Sequence, residues 1–193
     1  MPRLLLLVII ARLGLGFASA ADSSIAGAID TEKSVITVRV FKAGFFSAFA
    51  HDHEISAPIE QGGFNEGNTS VEVKVDARKL RVVDKEISER DRAEIQQTML
   101  GPKVLDSEKF PEIRFRASGG ADRPRLGRLT IEGELTLHGQ THPVRVEVIG
   151  MNGHYHGTAQ LKQKDFGITP ISLGGGTVKV KNELRVEFDV VGR

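Results

Sequence analysis

Residues 178–190 read VKVKNELRVEFDV, and this stretch decides the fold class. Apolar and charged residues alternate along it, and Asn182 interrupts the apolar positions. A period of two predicts a β-strand with one buried face and one solvent-facing side. At about 3.3 Å per residue, the stretch would span roughly 40 Å. Long strands that tilt against a common axis are typical of β-barrels.

The same alternation recurs along the rest of the chain. Further alternating runs occupy residues 36–40, 71–75, 113–116, 129–137 and 144–148, and segments 45–59 and 155–161 are also interpreted as strands. The connections between them are short, which favours antiparallel neighbours. We therefore predict an all-β fold of about eight antiparallel strands with one short helix.

That helix is predicted for residues 88–100. Ser88, followed by Asp91 three residues later, is a capping signal. Ile95 and Met99 lie one turn apart on the same face, and Gly101 with the following proline ends the segment. A single short helix among strands is expected to cover one end of a barrel.

The first twenty residues have the features of an export signal. Arg3 precedes an apolar run, and Ala18-Ser19-Ala20 forms a small-residue cleavage pattern. A membrane span is the competing interpretation, but it needs about twenty apolar residues, and Arg12 interrupts this segment. We predict a signal peptide over 1–20 with cleavage near Ala20, a single domain over 21–193, and a periplasmic or secreted location.

Composition excludes several classes of function. The chain has 193 residues, a formal net charge of +1 and no cysteine. A mixed, near-zero charge does not favour a nucleic-acid partner, and a chain without thiols has no disulfides. The sequence also lacks a nucleophile elbow, a glycine-rich phosphate loop and a His-Glu-x-x-His motif. We predict a protein that is not an enzyme and needs no cofactor.

Four short segments carry a resemblance to a known family. They are Ile29-Asp30 with Ser34-Val35, VLDSEKFPEIRF at 104–115, GELTLHG at 133–139 followed by Val144, and DFGI at 165–168. In this order and spacing the chain resembles the YceI-like family of periplasmic polyisoprenoid-binding proteins. The resemblance covers about 165 residues, essentially the whole predicted mature chain.

The resemblance implies a lipocalin-like, extended antiparallel β-barrel with a long apolar tunnel. The implied ligand is an isoprenoid-like amphiphilic lipid of the polyprenyl phosphate or quinone class. The family likeness also allows a homodimer and a peripheral contact with a membrane during lipid exchange. The inward positions of the strands and helix predict a tunnel wall of Val38, Val40, Phe45, Phe49, Ile55, Val73, Val75, Ile95, Met99, Ile113, Phe115, Leu135, Val146, Phe166, Val180, Val186 and Phe188.

Two histidines are candidates for contact with the lipid's polar head. Residues 50–55 read AHDHEI, where the family pattern has a glycine and an aromatic residue. His51 and His53 share strand parity with apolar neighbours, so both imidazoles are expected on the apolar side. Two histidines at this spacing are also half of a zinc or copper site, with Asp52, His142 or a residue of a neighbouring loop as a third ligand. Plain structural histidines are the remaining interpretation.

Two arginines at the start of the helix are further candidates. Near a barrel mouth, Arg90 and Arg92 could hold a pyrophosphate through bidentate hydrogen bonds. Ion pairs on the helix surface, such as Arg90 with Glu94, also explain them, and this is the preferred interpretation.

Two rival functions remain open at this point. One is a periplasmic metal-binding or stress protein that uses His51 and His53. The other is a solid-cored barrel that acts as an interaction module. The volume of the cavity distinguishes the solid-cored barrel from a lipid carrier, because a lipid tunnel should exceed about 300 Å³.

Overall fold

The computed structural model describes residues 27–43, 52–119, 122–125, 127–173 and 178–193. The predicted signal peptide lies outside these residues. The described strands are β1 (Gly27–Ala28), β2 (Val35–Ala43), β3 (His53–Ser56), β4 (Ile59–Asn65), β5 (Ser70–Asp76), β6 (Arg81–Val82), β7 (Glu112–Ala117), β8 (Asp122–Arg125), β9 (Arg128–Leu137), β10 (Gln140–Met151), β11 (His154–Lys162), β12 (Ser172–Leu173) and β13 (Val178–Val191).

One helix, α1, spans Glu89–Leu100, and 3₁₀ turns cover Ala77–Lys79 and Gln163–Phe166. No helix in the described part of the chain combines the length and the apolar character that crossing a bilayer would need. The prediction of a mainly β protein with one helix at residues 88–100 is confirmed.

The thirteen described strands form one antiparallel sheet. Its main path runs β1-β4-β5-β7-β9-β10-β11-β13-β2-β3-β6, while β8 pairs with β9 and β12 pairs with β13. Four of the neighbouring pairs in this path, β2–β3, β4–β5, β9–β10 and β10–β11, are also consecutive in the chain, as the short connections predicted. The sheet thus supplies a nearly continuous wall from the first described residues to the last.

The wall curls into an incompletely closed barrel, because β1 and β6, at the two ends of the strand order, do not pair with each other in the described residues. Although β3 and β4 lie near opposite ends of the strand order, only Ala57 and Pro58 separate them along the chain. At the other rim, Ile29 bridges Gly192 beyond β13, and the Arg193 N–H donates to the Ala28 carbonyl at 2.9 Å. The predicted count of about eight strands is not confirmed, because very short strands and bends divide the described wall into thirteen segments.

The long C-terminal strand behaves as its alternation predicted. In β13, Val186 lies opposite Val38 of β2 and Ala159 of β11, so apolar residues meet across three strands. The register with β2 shifts between Val180 and Leu184. This is the place where Asn182 interrupts the apolar positions, and the Asn182 side-chain oxygen accepts a hydrogen bond from the Lys164 N–H at 3.0 Å. The break in the sequence pattern therefore marks an irregularity in the strand.

The helix α1 covers the edge of the sheet at β6. It begins as predicted, since the Ser88 hydroxyl oxygen accepts from the Asp91 N–H at 3.1 Å. Further along, the Gln96 side chain accepts from the Val82 N–H and donates to the Leu80 carbonyl, both at 2.8 Å. The first bond satisfies the Val82 N–H of the edge strand β6, which would otherwise be open to pairing with another chain, and the second holds the carbonyl just before that strand.

Candidate functional site

The barrel encloses a cavity of about 1140 Å³, which we call the tunnel. Its wall consists mainly of Val, Ile, Leu and Phe side chains from alternate positions of the strands. Ordinary ligand pockets measure about 300–1,000 Å³, so the tunnel lies at or beyond the upper end of that range. A solid-cored barrel does not fit a cavity of this volume.

Many inward-facing residues remain partly accessible inside the barrel. On β2, every residue from Ile36 to Ala43 is half-buried, and Leu184, Val186 and Phe188 of β13 are half-buried as well. The apolar side chains at the alternate, inward positions face the tunnel. Burying them further would be favourable by about 25 cal/mol per Å² of apolar area. The wall therefore offers apolar surface that an occupant of the tunnel can cover.

The tunnel follows the barrel lengthwise. Strand β13 contributes wall residues from Lys179 to Val190. At about 3.3 Å per residue, and allowing for the irregularity near Asn182, this distance is roughly 30 Å. The hydrocarbon core of a bilayer has a similar thickness, about 30 Å. A cavity of this shape suits an elongated apolar chain better than a compact molecule.

A glycine in the tunnel wall leaves space for an aromatic ring on the adjacent strand. A Cβ on Gly133 of β9 would lie 2.6 Å from the ring of Phe115 and 2.5 Å from the Arg116 carbonyl oxygen. The absence of a side chain lets the Phe115 ring lie across the neighbouring strand. The aromatic side chain thereby lines the tunnel without filling it.

Polar residues line the tunnel at two ends, which we name by their neighbours. The helix-side mouth lies beside α1 and is lined by His53, Asp91, Glu94, Thr98 and Lys179. The turn-side mouth lies at the opposite rim and is lined by Asn65, Glu66, Arg128, Asn152 and Tyr155.

A histidine–aspartate pair lies at the helix-side mouth. His53 Nδ1 and Asp84 Oδ2 are 2.7 Å apart, and the other carboxylate oxygen of Asp84 accepts from the Glu54 N–H at 2.6 Å. Asp84 is buried, with 8% of its surface exposed, whereas His53 is half-buried and faces the tunnel. The carboxylate therefore orients the imidazole from behind the tunnel wall.

The predicted role of the two helix arginines is not supported by their placement. Arg92 donates through Nε and Nη2 to the Asp84 carbonyl oxygen, at 3.0 and 2.7 Å, and so ties α1 to the segment before it. Arg90 is exposed. Neither residue lines the tunnel, because the helix turns Asp91 and Glu94 to that side instead. The expected Arg90–Glu94 pair is not among the ion pairs of the described residues.

The turn-side mouth is held by a second polar cluster. The Tyr155 hydroxyl and the Gly153 N–H both donate to Glu66 Oε1. The Tyr155 ring also packs edge-on against Phe64, with ring centroids 5.4 Å apart. These contacts join the β4–β5 turn to the β10–β11 turn and shape the rim of the tunnel.

The structure gathers most sequence-predicted tunnel residues around the cavity. Those that line it are Val38, Val40, Ile55, Val73, Val75, Ile95, Met99, Ile113, Phe115, Leu135, Val146, Val180, Val186 and Phe188. The predicted residues Phe45, Phe49 and His51 lie outside the described residues.

Phe166 is a correction, because it does not line the tunnel. It ends a 3₁₀ turn, where strand parity does not apply, and it is 2% exposed. Its ring packs edge-on against His142 at 5.4 Å between centroids, and its carbonyl oxygen lies 3.1 Å from His138 Nδ1. Phe166 therefore packs in the core outside the tunnel.

Sequence reasoning missed two kinds of site residue. Val71, Leu129 and Ile131 line the tunnel, and their alternation with charged neighbours was the signal that could have placed them there. Asp84 carried no comparable signal, because it belongs to no strand and lies 31 positions from His53 in sequence.

The metal hypothesis finds no ligand set in the part of the chain that the structure describes. Within those residues, no group of three or more His, Asp or Glu side chains is close enough to hold an ion. His142, a suggested third ligand, packs against Phe166.

A model of the YceI-like domain matches residues 28–192 of the chain. A UPF0312 protein of Vibrio cholerae is 33% identical over 129 residues, which is 62% of this chain and 62% of that protein. The chain thus spans about three fifths of the length of this relative. A UPF0312 protein of a Shewanella species is 29% identical over 182 residues, with 88% of each chain covered.

Two solved structures have a similar fold. The crystal structure of Burkholderia cenocepacia BcnA superposes with a TM-score of 0.64 at 18% identity, covering 84% of this chain and 98% of that one. The crystal structure of a Campylobacter jejuni YCEI protein gives a TM-score of 0.50 at 13% identity, with 72% of this chain and 81% of that one covered. At such identities the likeness concerns the fold alone.

Proposed function

The chain belongs to the YceI-like domain family, and from this premise we propose that it binds an isoprenoid-like amphiphilic lipid in its tunnel without transforming it. The observation that carries the proposal is the tunnel itself: an elongated apolar cavity of about 1140 Å³ whose inward aliphatic residues are only half-buried along β2 and β13. The same feature argues against a role as a solid interaction module.

The apolar residues of the tunnel wall favour the binding of the lipid tail. Burial of each methylene group contributes about 0.8 kcal/mol, so a long prenyl chain would gain substantial affinity from contacts that need no hydrogen bonds. Valine residues such as Val38, Val40 and Val186 offer such contacts along the wall. An elongated tunnel also favours a linear chain over a fused-ring sterol.

The polar head is assigned to the helix-side mouth. Lys179 lines the tunnel there and could donate a hydrogen bond to a polar head, and the His53 ring lines the same mouth. The sequence-based candidate His51 remains a prediction, because it lies outside the described residues. Arg90 and Arg92 are no longer candidates, because neither side chain lines the tunnel.

We propose that the protein is not an enzyme. The His53–Asp84 pair is the described arrangement most like part of a catalytic triad, but a triad also needs a nucleophile within hydrogen-bond reach of the ring. In the described residues, no hydroxyl group bonds to His53; its side-chain partner is Asp84. Such a pair is equally suited to holding a ligand.

We propose a location outside the cytoplasmic membrane on the basis of the export-signal pattern in residues 1–20. If residues 1–20 direct export, the mature protein would act outside the cytoplasmic membrane, where a soluble carrier is needed to move an insoluble lipid. Exchange would then require transient contact with a membrane, and a homodimer is one form in which the carrier could act. Sequencing the N-terminus of protein recovered from a periplasmic extract tests cleavage near Ala20.

Native mass spectrometry tests the lipid proposal most directly. Protein purified without detergent should carry a mass increment that disappears on denaturation, and solvent extraction should release a prenyl lipid. Delipidated protein should regain thermal stability when a prenyl quinone, a polyprenyl phosphate or a prenol is added, because a ligand that binds only the folded state raises its stability. Recovery without any lipid, together with no stabilisation by any of these three lipid classes, would rule the proposal out.

A further inference from the structure

The buried carboxylate of Asp84 has a fixed set of partners. Oδ1 accepts from the Glu54 N–H at 2.6 Å, Oδ2 lies 2.7 Å from His53 Nδ1, and the Asp84 carbonyl accepts two bonds from Arg92. The residue is thus held by β3 on one side and by α1 on the other. Because only 8% of its surface is exposed, the Asp84 side chain has little space to move to other hydrogen-bond partners.

These partners assign the proton on the imidazole ring of His53. An ionised carboxylate offers only acceptors, so His53 Nδ1 must carry the hydrogen that it shares with Asp84. In the neutral ring, the remaining nitrogen, Nε2, is then an acceptor. Within the described residues Nε2 has no hydrogen-bond partner, and His53 lines the tunnel. The ring therefore offers a lone pair to whatever occupies the helix-side mouth.

The charges around this mouth disfavour an anionic head. Asp91 and Glu94 of α1 line the same part of the tunnel, and Asp84 lies behind His53. Lys179 is the cation that the described wall contributes here. A phosphate would meet the exposed carboxylates of Asp91 and Glu94 on the helix side, and like charges repel there, although water screens them. An uncharged head avoids that cost.

We propose that Asp84 is a positioning residue that makes His53 a hydrogen-bond acceptor, so that the tunnel selects prenyl lipids whose uncharged head carries a hydroxyl group. Prenols, prenyl phenols and quinols belong to this class, whereas a quinone or an ether can only accept hydrogen bonds. This inference rests on the proposed lipid-binding function and narrows the chemistry of its ligand.

A matched pair of probes tests the inference. Farnesol and farnesyl methyl ether share one tail and differ in the hydroxyl proton, and both are uncharged. The delipidated protein should bind farnesol about tenfold more tightly than the ether. Farnesol can donate one hydrogen bond to His53 that the ether cannot, and one such bond changes the affinity by about this factor. Affinities are measured by competition with a fluorescent prenyl probe.

Two variants and a control separate positioning from simple support of the fold. In Asp84→Asn the amide donates to Nδ1 and shifts the ring proton to Nε2, so the preference for farnesol should fall from about tenfold to about one. His53→Phe should also lose the preference. Asp189→Asn alters the exposed His154–Asp189 pair, 2.9 Å apart and away from the tunnel, and should keep the tenfold preference.

Each outcome has a distinct meaning. Equal affinity of the unaltered protein for both probes overturns the inference and leaves lipid binding intact. Asp84→Asn with both affinities lowered but the ratio preserved also overturns it, because Asp84 would then only support the fold. Failure of the unaltered protein to bind either probe removes the lipid proposal and this inference together.

A spectroscopic measurement covers the case in which the variants fold poorly. Nitrogen-15 NMR of the histidine rings in unaltered protein, at a pH where the ring is neutral, should find the His53 proton on Nδ1. A proton found on Nε2 would overturn the assignment of His53 as an acceptor, whatever the variants do.

Discussion

The phenyl ring of Phe188 on β13 covers Gly157 on the adjacent strand β11, such that a Cβ on Gly157 would lie 2.6 Å from Phe188 Cζ. The two residues are paired directly in the sheet. With no side chain at position 157, Phe188 can lie against the wall and still face the tunnel. Pairing an inward glycine with an aromatic ring on the next strand is a known way to stabilise a curved sheet.

Gly157→Ala should destabilise the protein by about 1–3 kcal/mol. The new methyl group would meet both the Phe188 ring and the carbonyl oxygen of Glu147, and a backbone atom cannot easily move aside. Urea unfolding followed by circular dichroism measures the change. Gly27→Ala is the control, since its Cβ would meet no atom closer than 3.4 Å, and a loss of stability as large in the control would contradict the argument.

Ala159→Phe should block lipid binding by filling part of the tunnel. Ala159 lines the tunnel midway along β11, opposite Val146 and Val186, so the larger ring would occupy the space of the lipid tail. We expect a loss of affinity for a fluorescent prenyl probe of about tenfold or more, since one lost tail contact of about 1.4 kcal/mol already has that effect. The matched control, Gln160→Phe, adds the same ring one residue later on the exposed outer face and should bind normally. Equal binding by both variants would place the ligand outside the tunnel.

Gln96→Ala should loosen α1 from the sheet edge. The substitution removes one acceptor for the Val82 N–H and one donor for the Leu80 carbonyl. The Leu80 carbonyl keeps its bond from Arg81 Nη1, so the Val82 N–H is the group left unsatisfied, which costs about 1–3 kcal/mol. Hydrogen exchange should quicken at Val82, and the free energy of unfolding should fall. The neighbouring exposed residue Gln97 offers a control, because Gln97→Ala should change neither quantity.

Stability should decline at acidic pH through two carboxylates on the outside of the barrel. The side-chain hydrogen bond from Arg78 holds the pKa of Asp76 below its ordinary value, against the opposing effect of burial. For Glu72, burial raises the pKa, but hydrogen bonds and charge from Arg114 and Arg116 outweigh it, so the pKa is lowered overall. Each carboxylate binds its proton more weakly when folded than when unfolded.

The sign of the pH effect follows from these lowered values. A depressed pKa stabilises the folded state fully above the unfolded pKa, about 4, and the contribution disappears as pH falls through the folded pKa. Free energies of unfolding measured between neutral pH and about pH 2 should therefore fall steeply at the acid end. Asp76→Asn should flatten that decline, whereas Asp165→Asn at an exposed site should reproduce it. An unchanged slope in Asp76→Asn would contradict the role of the Arg78 pair.

The strand residues of the tunnel wall could be predicted because their signal is local. Val38, Val186 and Phe188 alternate with polar or charged residues, and a strand sends alternate side chains to opposite faces whatever the rest of the fold does. The cap of α1 was predicted for the same reason, since Ser88 and Asp91 are three residues apart. The prediction that Phe166 lines the tunnel was wrong, because Phe166 lies in a 3₁₀ turn, where side chains do not alternate with a period of two.

The sequence by itself determined the β class, the position of the helix and the inward face of the strands, because each depends on neighbours within a few residues. Tertiary structure alone decided that the barrel is open inside, since the width of a barrel depends on how the strands pair and curve. It also decided that Asp84 meets His53 and that Arg92 faces away from the tunnel. Contacts between residues distant in sequence exist only once the chain has folded, and no local periodicity encodes them.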